Sequence, residues 1–293
     1  MRNAYPHRAG ILRRLWTGLA VAVLVLFALY DLAPLVVMVS TSLKSADEIR
    51  SGALLSLPDE IDTGAWAYAW GTACIGATCR GLAPYFVNSV AIAVPAVAIS
   101  SVLGALNGYA LTKWRFRGAD LIFALMLFGT FLPYQAILLP LAQTLGALGL
   151  GGTRGGLIVA HTAYGLTFTT LFFRNYFVGI SDDVVKAALL DGAGFFRIFG
   201  EILLPPAIPI LAVTVIWQFT QVWNDFLFGS ALTWGESLPV TVALINLVNV
   251  TTGLKHYNVD MAGAIITGLP TLVVYVLAGK YFIRGLIAGA VKG

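Results

Sequence analysis

Apolar residues in this chain run on for far longer than the single stripe that a soluble helix buries. A helix needs about 20 mostly apolar residues to cross the hydrocarbon core of a bilayer. Six stretches reach that length: Leu15–Val39, Tyr85–Leu111, Leu121–Leu145, Gly155–Phe177, Ala207–Leu232 and Val259–Phe282. They predict an all-α integral membrane protein with six transmembrane helices. Pro95, Pro133, Pro140 and Pro270 fall inside these runs, which is compatible with spanning because neighbouring helices can satisfy the freed backbone groups. Gly104 and Gly108 form a G-x-x-x-G that permits close backbone approach, with helix packing as its simplest meaning. The chain then divides into an N-terminal segment 1–14, a six-span domain 15–282 and a C-terminal tail 283–293.

The first run follows basic residues, as a signal peptide's core does. It continues past Asp31 to about Val39, whereas such cores are roughly 7–15 residues, and no A-x-A-like cleavage site follows. A retained membrane helix is expected.

Lysine and arginine set the orientation. With the N-terminus in the cytoplasm, thirteen of the 18 basic residues fall inside, and Lys44, Arg50, Arg80, Arg154 and Lys255 fall outside. Six spans return the C-terminus to the cytoplasm. Segment 40–84 is then an external loop and segment 178–206 a cytoplasmic one. The external loop contains both cysteines, Cys74 and Cys79. Thiols outside the cytoplasm tend to oxidise, and a small disulfide-closed loop is expected, with two unpaired small residues as the alternative.

Composition agrees with the pattern. Of 293 residues, 58% are hydrophobic and 11% charged, against about 25% charged in soluble domains. The net charge of +4 is modest and no long basic run occurs, so nucleic acid is not an expected partner. Membrane lipid is.

The segment "KAALLDGAGFFRIFGEILLPPAIP", Lys186 to Pro209, interrupts the apolar runs. Ser181 can cap a helix, and Asp182 and Asp183 suit its first turn. The helix should run to Gly192, with Val184, Val185, Ala188 and Leu189 roughly on one face. Gly192 and Gly194 can break it, and "FFRIFGEIL" can form a second short helix ending before Pro205. On periodicity alone, a helix lying on lipid headgroups would account for this character.

The spacing points elsewhere. Ala187 and Ala188 are followed by three residues, Gly192, nine residues, then Ile202, Leu204 and Pro205. This resembles the E-A-A, three residues, Gly, nine residues, I-x-L-P signature of permease subunits of ATP-binding-cassette (ABC) importers, including the D-G-A formed by Asp191, Gly192 and Ala193. The family's glutamate position is Lys186 here. "SLKSADEI", "FVNSV", "GYALTKWRFRG" and the tail "YFIRGLIAGAVKG" look like sugar permeases of the maltose type, and "WGTACIGATCRGL" looks most like a glucose/mannose branch.

The resemblance implies the transmembrane fold of type I ABC importers, with a cytoplasmic coupling-helix loop between spans 4 and 5. It implies a non-catalytic subunit of a sugar importer, for a monosaccharide such as glucose or mannose. The implied partners are a second permease, two cytosolic ATPase subunits carrying ATP and Mg, and an external sugar-binding protein. No cofactor is expected on this chain. Its ATPase-coupling residues would be Lys186, Ala187, Ala188, Asp191, Gly192, Ala193, Ile202, Leu204 and Pro205. A multi-pass protein of a bacterial or archaeal cytoplasmic (inner) membrane is expected.

The remaining chemistry is sparse. "AGKYF" lacks the upstream glycine and the Ser/Thr of a phosphate-binding loop. His7, His161 and His256 are scattered, which gives no metal or general-base constellation. Asn249, Val250 and Thr251 form a glycosylation sequon by pattern only. Asp225 in "QFTQVWNDFLFG" is the notable intramembrane acid, and such acids usually face a bundle interior or water. Gln218, Gln221, Trp223, Asn224 and Asp225 are expected to line a substrate pathway, the alternative being an external interface where Trp is common. "WNDFLF" also resembles a family segment near the end of the fifth span. His161 and Tyr164 read as inter-helix hydrogen-bonding residues. An ion-gradient-driven secondary carrier is the alternative function. It would call for a network of buried charges and commonly for inverted repeats, neither of which is evident.

Overall fold

The computed structural model describes residues 6–52, 55–114, 116–249 and 255–290, with backbone alone for 6–12 and 280–290. Two compact units divide the chain: Met1–Trp70 with Thr251–Ile265, and Gly71–Val250 with Ile266–Gly293. The sequon's Val250 and Thr251 and tail residues 291–293 lie outside the described residues.

The first unit opens with α1 (Pro6–Ser42), which begins well before the expected span. Described side chains from Arg13 to Val36 are exposed all round, as befits a helix whose surroundings lie outside this chain. Two short helices follow, α2 (Ala46–Ser51) and α3 (Gly64–Gly71). Ser45 caps α2 by accepting from the Glu48 N–H at 3.2 Å. Lys44 is buried and donates to Ser56 Oγ at 2.8 Å. Its carbonyl accepts from Asn258 Nδ2 at 3.0 Å. The "SLKSADEI" stretch is therefore an ordered capped turn with a buried lysine.

The second unit begins with a hairpin, β1 (Cys74–Ile75) and β2 (Thr78–Cys79), which is antiparallel and bridged by the Cys74–Cys79 disulfide. Among the described residues it is the one departure from an all-helical chain, apart from a Gly152–Thr233 bridge. Helix α4 (Ala83–Tyr109) then packs along α7 (Arg154–Val178) as the central pair. Gly104 and Gly108 make that approach possible. A Cβ on Gly104 would come within 2.2 Å of Thr169 Oγ1, and one on Gly108 within 2.8 Å of the Arg174 backbone nitrogen. Thr169 Oγ1 donates across the contact to the Ser100 carbonyl at 2.9 Å.

Five helices, Arg13–Ser42, Ala83–Trp114, Arg154–Val178, Pro205–Trp223 and Tyr257–Gly279, are long and apolar enough to cross a membrane. The expected third span is not straight. It consists of α5 (Ala119–Thr130) and α6 (Tyr134–Ala147), bent by 104°. Pro133 lacks an N–H and pushes its predecessor out of the helical region, and Pro133 itself is extended, with φ −63° and ψ 135°.

Past α7 come α8 (Asp182–Leu190), the single turn α9 (Phe195–Arg197), a wide turn over Ile198–Leu203 and a tight one over Pro205–Ala207. These lead into α10 (Ile208–Trp223), α11 (Leu227–Leu232), α12 (Val240–Val248) and α13 (Tyr257–Ala290). The expected fifth span, Ala207–Leu232, thus ends at Trp223. Asp225 starts the next helix instead, accepting from the Phe228 N–H at 3.3 Å and the Gly229 N–H at 2.9 Å.

Candidate functional site

Two places in the second unit gather the singled-out residues: the hairpin around α8, and a polar cavity bordered by α6, α7 and α10–α11.

Ser181 Oγ caps α8, accepting from the Asp183 N–H at 3.2 Å, and Asp182 and Asp183 sit at the positive end of the helix dipole. The other end closes in a left-handed turn. Gly192 has φ +77°, its N–H bonds to the Leu189 carbonyl at 3.0 Å, and the Ala193 N–H bonds to the Ala188 carbonyl at 2.9 Å. A left-handed residue with these two bonds is the glycine-terminated helix stop, which gives the signature's glycine a backbone reason. The chain then turns back into the expected second short helix, α9 continuing into a wider helical turn that ends before Pro205. Ile198–Leu203 widens, with the Leu204 N–H reaching the Phe199 carbonyl at 2.8 Å, and runs through Pro205 into α10.

The apolar positions of the hairpin split between two faces. Val185, Ala188, Ala193, Ile198 and Leu203 are buried in one cluster with Ala105 and Tyr109 of α4, Phe173 and Phe177 of α7, and Ala207. Tyr109 is the centre of its aromatic packing, with ring centroids 4.6 Å from Phe195 and 5.9 Å from Phe199. Tyr176 OH donates to the Pro206 carbonyl. The four residues expected roughly on one face differ in burial: Val185 and Ala188 are covered, while Val184 and Leu189 at its edges are exposed, beside Leu190 at 88% exposure and Phe196 at 75%. A helix turns 100° per residue, so adjacent pairs cannot share a narrow stripe. Of the nine expected coupling residues, Ala188 and Ala193 face the interior, and Ile202 and Leu204 are half-buried. Lys186, Ala187, Asp191, Gly192 and Pro205 are exposed. Lys186 Nζ pairs within its own helix with Asp183 Oδ1 at 3.0 Å.

The cavity, about 460 Å3, is lined by Gln218, Gln221, Asn224 and Asp225 together with Tyr134, His161, Tyr164 and Trp217. Gln218 is buried, and its Nε2 donates to the His161 carbonyl at 3.2 Å while its Oε1 has no hydrogen-bond partner. A Cβ on Gly165 would fall 2.0 Å from Gln218 Nε2, so glycine makes the room for this side chain. His161 Nε2 lies 3.7 Å from Asp225 Oδ2, beyond hydrogen-bond reach. Thr271 Oγ1 donates to Asn224 Oδ1 at 3.2 Å. Tyr134 and Tyr164 stack with centroids 4.3 Å apart, and Phe228 meets both edge-on.

Trp223 does not belong to this wall. It is 2% exposed, donates Nε1 to the Thr267 carbonyl at 2.9 Å and packs between Phe86 and Phe219. Although adjacent to Asn224, it does not line the cavity. Sequence reasoning left out Tyr134 and Trp217, and read His161 and Tyr164 as inter-helix hydrogen-bonding residues, whereas all four line the cavity. Tyr134 comes from α6, His161 and Tyr164 from one face of α7, and Trp217 from α10, and only packing brings the three helices together.

Membrane-length helices, a polar cavity between them and an amphipathic hairpin at their ends define a helical membrane transport subunit. Residues 100–286 match the family of binding-protein-dependent transport system inner membrane components, and the chain belongs to that family. A probable ABC transporter permease protein of Pyrococcus horikoshii is 46% identical over 188 residues, covering 64% of this chain and 68% of the relative. The diacetylchitobiose uptake system permease protein of Streptomyces coelicolor is 34% identical over 266 residues, or 89% and 84% of the two chains. The fold matches that of a bacterial ABC transporter involved in import of the acidic polysaccharide alginate, with a TM-score of 0.76. The match covers 96% of this chain and 99% of that one at 23% identity. The protein is therefore a membrane-spanning, non-catalytic permease component of the ABC importer type.

Proposed function

We propose that this chain is one of two permease subunits of an ATP-driven sugar importer, and that the hairpin of α8 is the cytoplasmic handle on which an ATPase subunit docks. The observation that carries the reading is the division of the hairpin: one face is rooted among the ends of α4, α7 and α10, while Leu189, Leu190 and Phe196 stand exposed. Exposed apolar residues grouped in this way mark an interaction surface. Lys186 reverses the charge of the signature's glutamate. Exposed ion pairs contribute about 0–1 kcal/mol, so docking rests on the apolar contacts and Lys186 selects an ATPase with an acid at the facing position.

In this reading the termini and hairpin are cytoplasmic, and the disulfide hairpin and loop 40–84 are external, where a sugar-binding protein delivers its ligand. ATP and Mg belong to the ATPases, and a second permease completes the translocation path. Closure of two ATPases would move the α8 hairpins as rigid bodies and change which side the cavity faces. Gln218, Gln221, Asn224 and Asp225, with the Tyr134–Tyr164 stack, supply the hydrogen bonds and aromatic faces that suit a sugar. The carbohydrate class is supported by the diacetylchitobiose relative, and the narrower glucose or mannose reading rests on the likeness of "WGTACIGATCRGL". Uptake of labelled sugars into proteoliposomes containing the assembled complex tests the proposal. Uptake that needs internal ATP and ignores a protonophore is expected. Uptake without ATP that collapses with the proton gradient would establish the carrier alternative instead.

A further inference from the structure

We propose that Lys113 is a positioning residue that makes the end of the second span follow the docking helix, so that ATPase movement reaches the transport pathway. This deepens the docking reading and rests on it. Lys113 lies in the wide helical turn, Ala110–Trp114, that closes α4. Its side chain is only 4% exposed, and Nζ donates to Asp182 Oδ1 at 2.6 Å and to the Ile180 carbonyl. Asp182 opens α8, and Ile180 lies in the short linker after α7. One buried ammonium therefore joins three elements at a point.

The apolar cluster beneath α8 also holds the hairpin, but hydrophobic contact is non-directional and tolerates sliding. Charge-assisted hydrogen bonds are short and directional, and a buried ammonium stripped of its carboxylate is strongly disfavoured. Displacing α8 would therefore draw Lys113 and the end of α4 with it. Among the described charges nearby, Asp183 pairs with Lys186, and Arg174 lies 3.6 Å from Asp120 and stacks on the Phe123 ring at 4.2 Å. Beside the contact is a cavity of about 590 Å3, which gives a guanidinium room to replace the ammonium.

The test uses the full complex in proteoliposomes and measures sugar taken up per ATP hydrolysed. Lys113→Met keeps the side-chain stem and removes the charge, and the Asp182 side chain is 44% exposed. Membrane insertion and subunit assembly are measured alongside. Lys113→Met is expected to assemble and hydrolyse ATP but to lose at least several-fold in uptake per ATP. Lys113→Arg is expected to restore the ratio. Wild-type coupling in Lys113→Met, or failure of arginine to restore it, would overturn the proposal. A crosslinker on Leu190 separates the two readings. Its failure to reach an ATPase in the wild-type complex would overturn docking and this inference together. A retained crosslink beside wild-type coupling in Lys113→Met would overturn this inference alone.

Discussion

Gly192 shows how one residue sets the shape of the hairpin. Its φ of +77° is open to glycine, while a residue with a Cβ loses about 1–2 kcal/mol there. Space is not the obstacle, since a Cβ would meet nothing within 4 Å. Gly192→Val is therefore expected to leave insertion intact but unwind the end of α8, cutting uptake while ATP hydrolysis continues. Wild-type uptake per ATP in that variant would contradict the role given to this turn. Asp225 differs in kind, because its carboxylate accepts from two N–H groups at the start of α11. Asp225→Ala leaves both donors without that acceptor, a loss of about 1 kcal/mol, and is expected to lower uptake and thermal stability together. Asp225→Asn keeps an acceptor and is expected to recover most of the stability. If the two variants melted alike, the capping role would be refuted.

At the scale of elements, what the sequence disclosed and what it hid have separate physical causes. Membrane-length apolar runs announced six spans, five of them single helices and the third a bent pair among the described residues, because hydrocarbon thickness imposes a length that composition reveals. The α8 hairpin was legible because its cap, its glycine stop and its prolines are local signals. The bend between α5 and α6 also has a local cause in Pro133, yet a proline inside an apolar run is equally compatible with a continuous span. The end of α10 at Trp223 was hidden because Asp225 reads as an intramembrane acid until its two backbone partners are seen. The cavity was half legible: the polar residues of α10 stood out, whereas the aromatic residues of α6 and α7 join them only through packing. The same packing makes a prediction for the α4–α7 pair. Gly104→Val would push a side chain into Thr169, where the space is already filled. Overpacking typically costs about 1–3 kcal/mol, and a fall in the unfolding midpoint of detergent-solubilised protein is expected. An unchanged midpoint would show that the helices can separate without loss.

Across the molecule as a whole, two surfaces differ in their chemistry. The hairpin of β1 and β2 carries the disulfide, and the α8 hairpin carries the exposed apolar residues. If the first is external, Cys74 and Cys79 should resist a membrane-impermeant alkylating reagent until an impermeant reductant is added to intact cells. Immediate labelling of both would refute the bridge, and protection that outlasts the reductant would refute the external placement. Ala188, a natural choice of probe by its place in the signature, is buried under the hairpin, whereas Leu190 is 88% exposed. A photo-crosslinking residue at Leu190 in the assembled transporter is accordingly the most direct measurement. A covalent adduct with a cytosolic ATPase subunit is expected. Adducts with lipid alone would contradict docking.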